Sequence, residues 1–157
     1  MPKVHERPTT LQPHISLARR RRRDLLEAMT QLESAVAGPS ESEGWLERVD
    51  DSLGDLVDAL RAHIEEVEGP DGLLAQIIAE APRLSAATDD FRREHFELLE
   101  ACGRIEQVIS GAQPTTDHVI RRVRRRVTSL LGRLTAHRQR GSDLVYDAYN
   151  VDIAAAD

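Results

Sequence analysis

Three breaks divide the chain: Gly38-Pro39-Ser40, Gly69-Pro70-Asp71-Gly72 and Ser110-Gly111-Ala112-Gln113-Pro114. Glycine adds backbone entropy and proline removes a donor, so together they stop helices. Between the breaks, apolar residues recur at three- and four-residue intervals, the spacing of one helix face. The first such stretch predicts a helix from about Pro13 to Ala37, with His14, Leu17, Leu25, Ala28, Leu32 and Val36 inward. Arg19 to Arg23 interrupt that face, and Arg21, seven residues after His14, must snorkel, pair or lie at an edge. The second helix is expected from near Glu43, capped by Ser40 or Ser42, with Leu53, Leu56, Leu60, His63 and Val67 as its stripe. Leu73 to Ala81 reads as a brief accessory helix, separated by Pro82 from a third long helix carrying Leu84, Ala87, Phe91, His95, Leu98, Cys102 and Ile105. A fourth opens after Thr115 or Thr116 and carries Ile120, Val123, Val127, Leu130, Leu134, His137 and Leu144. Gly141 is expected to loosen its last turns, and Tyr146 to Asp157 reads as a docked tail.

Short connections between long helices make sequential neighbours antiparallel. The pattern therefore predicts an all-α, up-down-up-down antiparallel four-helix bundle, with the accessory helix between the second and third long helices. Residues 1–10 read as a flexible leader, 11–149 as the domain and 150–157 as a C-terminal tail.

Composition supports the helices and narrows the chemistry. The 157 residues are enough for one domain with a real core. That core must be aliphatic, because Trp45, Phe91, Phe96, Tyr146 and Tyr149 are the whole aromatic complement. Cys102 is the one cysteine, which excludes an internal disulfide and fits a reducing compartment. No apolar run reaches the length of a membrane span, and no apolar segment follows the basic N-terminus as a secretory signal would require. A cytoplasmic protein is expected.

The net charge of −6 is unevenly spread. Residues 41–110 hold 18 acidic and 6 basic groups, whereas both ends carry a basic excess. Basic outer helices beside acidic middle helices would complement one another inside one bundle. The runs Arg19 to Arg23 and Arg121, Arg122, Arg124, Arg125 and Arg126 suit phosphate, but no aromatic residues are interleaved to stack bases and no recognition motif surrounds them. Solvated and paired helix faces are the simpler reading. No nucleophile elbow or phosphate-cradling glycine loop is present, so neither hydrolase nor nucleotide-dependent chemistry is indicated.

Histidine supplies the candidate chemistry. Of six, His5 lies in the leader and His118 on a polar first turn. The other four, His14, His63, His95 and His137, fall one per long helix, each in register with the apolar stripe. Desolvation favours neutral imidazole, which is also the form that ligates metals. In an antiparallel bundle all four positions can lie near one end. Each alone would ordinarily be a satisfied core residue; together they point to a metal site.

This arrangement resembles the hemerythrin-like (HHE cation-binding) domains, four-helix bundles that hold a di-iron site. The resemblance covers about residues 11–149: LQPHISLARRRRRDLLEAM carries His14, LVDALRAHIEEVEGPDGLL carries His63, DDFRREHFELLEACGRI carries His95 and LLGRLTAHRQRGSDLVYDAY carries His137. It implies iron as cofactor and a role in binding or sensing a small diatomic ligand, handling iron or responding to stress. The family often places a glutamate four residues after the second- and fourth-helix histidines, but Val67 and Gly141 stand there. Leu99 stands where oxygen-carrying members have a further histidine. Glu66, at i+3 from His63, is the candidate replacement oxygen ligand, together with Asp143 if Gly141 breaks the helix. Glu68 points elsewhere on a regular helix. Bridging carboxylates offset the charge of two close cations. Without them three states remain open: a rearranged di-iron site, a mononuclear site, or a relic without metal. The rival function is a metal-free scaffold that contacts a partner protein through its arginine faces or its tyrosine-bearing tail.

Overall fold

The computed structural model describes the backbone of residues 11–112 and 114–154 and the side chains of residues 17–112 and 114–150. Four long helices, α1 (Leu11–Ala37), α2 (Trp45–Glu68), α4 (Ser85–Ser110) and α5 (Asp117–Ala154), form an all-α four-helix bundle. An accessory helix, α3 (Leu73–Glu80), and a 3-10 turn, Pro82–Leu84, join α2 to α4. Each long helix packs on two others, α1 on α2 and α5, and α4 on α2 and α5. The leader expected over residues 1–10 lies outside the described residues.

The predicted stripes face inward. Leu53, Leu56, Leu60, His63 and Val67 of α2 are buried, as are Phe91, His95, Leu98, Cys102 and Ile105 of α4. Val123, Val127, Leu130, Leu134, His137 and Leu144 of α5 join them. Arg21 is half-buried at the edge of α1 and faces Asp24 at 3.9 Å. Burial raises the Cys102 thiol to about 11, assisted by the Glu106 charge, so it stays protonated and inert.

Three details depart from the expected pattern. No serine caps α2: its N-cap is Gly44, at φ 76°, a left-handed conformation that glycine adopts without a Cβ clash. Ser42 instead bonds the Pro39 carbonyl at 2.7 Å and accepts from Arg48 at 2.6 Å. Second, α5 does not give way to a tail at Tyr146. It runs unbroken through Gly141 to Ala154, because α3 packs against its C-terminal half and gives Leu144 and Ala148 an apolar surface to cover. Third, the arginines of the 121–126 cluster do not make the α4–α5 ion pairs among the described residues. Arg133 pairs with Glu97 at 3.5 Å, and Arg140 pairs with Glu94. At the start of α5 the expected cap does form, Thr116 Oγ1 accepting from the Val119 amide at 3.3 Å.

Within that cluster Arg124 has a structural task. Its guanidinium donates to the carbonyls of Val36 at 3.3 Å and Gly38 at 3.1 Å, where α1 ends, and stacks over Trp45 at 5.4 Å. It therefore satisfies helix-end acceptors that would otherwise lack partners. Replacing it by methionine (Arg124→Met) keeps much of the stem and removes the donors. The expected loss is about 1–2 kcal/mol, discounted for partial exposure. A lower urea midpoint with unchanged slope checks this.

Candidate metal centre

The core is divided in two. The larger cluster runs along the bundle and includes Leu60 of α2, Leu98 of α4 and Leu134 of α5. The smaller lies beneath the bundle and holds Val67 of α2, Leu74 and Ile77 of α3, Phe91 of α4, and Leu144 and Ala148 of α5. His63, His95 and His137 fall between these neighbours on α2, α4 and α5. They make a polar layer where the two apolar clusters meet.

The three rings converge. Each offers a ring nitrogen to a group whose members all lie within 4.8 Å of one another. Ring centroids are 5.5 Å apart for His63–His95, 5.8 Å for His63–His137 and 4.7 Å for His95–His137. All three are buried, at 8 %, 2 % and 0 % relative exposure. The Nε2 atom of each is buried with no hydrogen-bond partner among the described residues.

The opposite nitrogens of two rings are held from outside. His95 Nδ1 lies 2.6 Å from Glu68 Oε1 across the α2–α4 interface. His137 Nδ1 lies 2.8 Å from Glu94 Oε2 across the α4–α5 interface. A carboxylate only accepts, so Nδ1 carries the proton and donates, and the lone pair of each ring sits on Nε2. Arg140 in turn pairs with Glu94 from the solvent side. Metal-bound histidines are oriented by outer carboxylates in this way.

Electrostatics keep the layer neutral. Burial drives His63 down to about 3, and the neighbouring His95 and His137 lower it further. Burial likewise takes His137 down to about 4 against the upward pull of Glu94. His95 is also lowered by burial, with Glu68 opposing. Burial pushes the Glu94 carboxyl upward, but its bonds to His137 and Arg140 outweigh that and hold it ionised. The result is three imidazoles with free lone pairs, a buried triad capable of chelating a metal ion. Imidazole nitrogen suits zinc, copper, iron and nickel, so the donor set fits a transition-metal cation.

Of the other expected ligands, the two carboxylates stand apart from the histidine group. His14 lies on α1, and its side chain is outside the described residues. Glu66 is half-buried on α2 and does not join the histidine group. Asp143 is exposed and accepts from Gln139 Nε2 at 3.0 Å. Its inward reach required a break at Gly141, and α5 has none. Glu68, expected to point away, does so relative to His63 but reaches the histidine of the adjacent helix. Glu94 was not legible as a functional residue, although a carboxylate beside a core histidine and level with Arg140 is a usable signal.

Phe91 closes the layer from below. Its ring stacks on His137 with centroids 4.1 Å apart and planes 14° from parallel, and meets His95 edge-on at 5.0 Å. A Cβ on Gly141 would stand 3.2 Å from Phe91 Cζ, closer than ordinary contact. Glycine thus makes room for the aromatic ring. No family model matches the chain, and neither a curated protein nor a solved structure is similar enough to match it.

The neutral histidines set a pH dependence for the metal-free protein. In the unfolded chain they take up protons near the ordinary value of 6.5, whereas folded His63 and His137 do so only near 3 and 4. The unfolded state therefore binds more protons throughout that window, and stability falls as pH falls from about 6.5 towards 4. Urea titrations at pH 7.5, 6 and 5 should give successively lower midpoints. A midpoint that stays constant over this range would contradict the buried neutral layer.

Proposed function

We propose that the protein is a hemerythrin-like metal-binding bundle that holds a transition-metal ion, iron by that likeness, at His63, His95 and His137. Its task is to present the ion to a small ligand, a diatomic molecule being the candidate, within the cytoplasm. The supporting observation is the set of three buried Nε2 atoms without partners. An unsatisfied buried polar atom costs about 1–3 kcal/mol, so three at one point are difficult to retain as packing alone. A cation that accepts all three lone pairs removes that cost. His14 is proposed as a fourth nitrogen donor from its place on α1.

Bound there, a divalent ion would supply Lewis acidity and a coordination position for a small molecule. The protein's own residues do the rest. Glu68 and Glu94 fix the tautomers and ring orientations of His95 and His137, while Val67 and Phe91 keep the lower side apolar.

A ligand that binds only the folded state raises its stability. Chelator-stripped protein titrated anaerobically with Fe(II), or with Zn(II), should therefore melt later. At free metal of about 100 times Kd the gain is about 2.7 kcal/mol, or roughly 5–10 °C for a chain of this size. His95→Gln and His137→Gln, checked for retained helicity, should abolish the rise. An unchanged melting temperature together with no metal in the dialysed wild type would favour a scaffold without metal.

A further inference from the structure

We infer that the centre takes one metal ion per chain rather than two, with Glu68 and Glu94 acting as positioning residues behind its histidine ligands. This deepens the metal-binding reading and rests on it. A two-metal centre needs oxygen donors between the ions, both to bridge them and to offset their charge. The two helix positions from which such carboxylates would project hold Val67 and Gly141. Val67 is 6 % exposed and belongs to the lower apolar cluster. At Gly141 the volume a side chain would enter contains the Phe91 ring. Hydrocarbon thus occupies both helix positions from which bridging carboxylates would project.

Among the described residues, the two carboxylates bonded to the layer are already engaged. Glu68 Oε1 accepts from His95 and Glu94 Oε2 from His137, each on the ring nitrogen turned away from the cluster. Neither carboxylate joins the group of converging ligand atoms. Glu68 and Glu94, the latter shared with Arg140, bring at most two negative charges to the layer, no more than one divalent cation requires. Two cations would leave at least two positive charges uncompensated in a largely apolar interior, which is strongly unfavourable. A tetrahedral ion with nitrogen ligands at about 2.0–2.1 Å sets those nitrogens about 3.3 Å apart. Nitrogens already within 4.8 Å of one another need only small ring rotations to reach that spacing.

The test uses the full chain, stripped with chelator and dialysed against Co(II) or Fe(II) under anaerobic conditions, with metal counted per chain. His137→Gln, checked for folding by circular dichroism, serves as the blank for ions on the acidic surface. One ion per chain above the blank is expected, and for Co(II) an intense visible band of four-coordinate type. Glu68→Gln and Glu94→Gln, whose side chains are 31 % and 22 % exposed, should fold and bind the same single ion. Their affinity should fall 10- to 100-fold, with a shifted Co(II) band, because the rings lose their charged outer partners. Two ions per chain would overturn the inference and leave the metal-binding reading standing. No ion above the blank would overturn both. Wild-type affinity and an unshifted band in both glutamate variants would overturn the positioning role alone.

Discussion

Two hydrogen-bonded pairs, Glu68 with His95 and Glu94 with His137, hold the middle of this molecule together. Each joins one helix to the next, α2 to α4 and α4 to α5. A buried imidazole without such a partner would be free to choose either tautomer and to rotate. With the carboxylate outside, the proton is fixed outward and the lone pair inward. The bundle's packing and its chemistry therefore share the same atoms. Arg140 extends the arrangement to the surface by holding Glu94, so a solvent-exposed guanidinium helps set the direction of a fully buried ring.

The surrounding core accommodates this layer by splitting. Above it, aliphatic residues of all four long helices pack in the usual bundle manner; below it, α3 and the far half of α5 supply a second apolar surface. Phe91 is the hinge between the two demands. Its face lies on His137 and its edge on His95, so it covers polar rings with hydrocarbon while filling the room left by Gly141. Aromatic contact of this kind adds about 0.5–1.5 kcal/mol beyond simple burial.

Much of the architecture was legible from periodicity, since a buried stripe repeats every three or four residues whatever its neighbours do. His63, His95 and His137 could be found because each replaces an aliphatic residue in such a stripe. What could not be read were relations between helices. Glu68 lies off the His63 side of a regular helix, and its partner, His95, belongs to α4. Glu94 sits beside the stripe, and only the approach of α5 gives it meaning. Gly141 suggested a weak point because glycine lowers helix propensity; the aromatic ring that needs its space comes from α4. The continuation of α5 past Tyr146 was likewise hidden, since the surface that supports it belongs to α3. Asp143 failed as an inward group for the same reason: an unbroken helix keeps it facing water.

The short helix α3 has a consequence for how locally the fold can open. Among the described residues the lower cluster joins α3 to residues of α2, α4 and α5 through seven buried side chains, as a unit separate from the upper core. Proteins open in such cooperative pieces at free energies below the global value. Leu74 and Ile77 of α3 thus carry the local stability of the end of the bundle on which Phe91 rests.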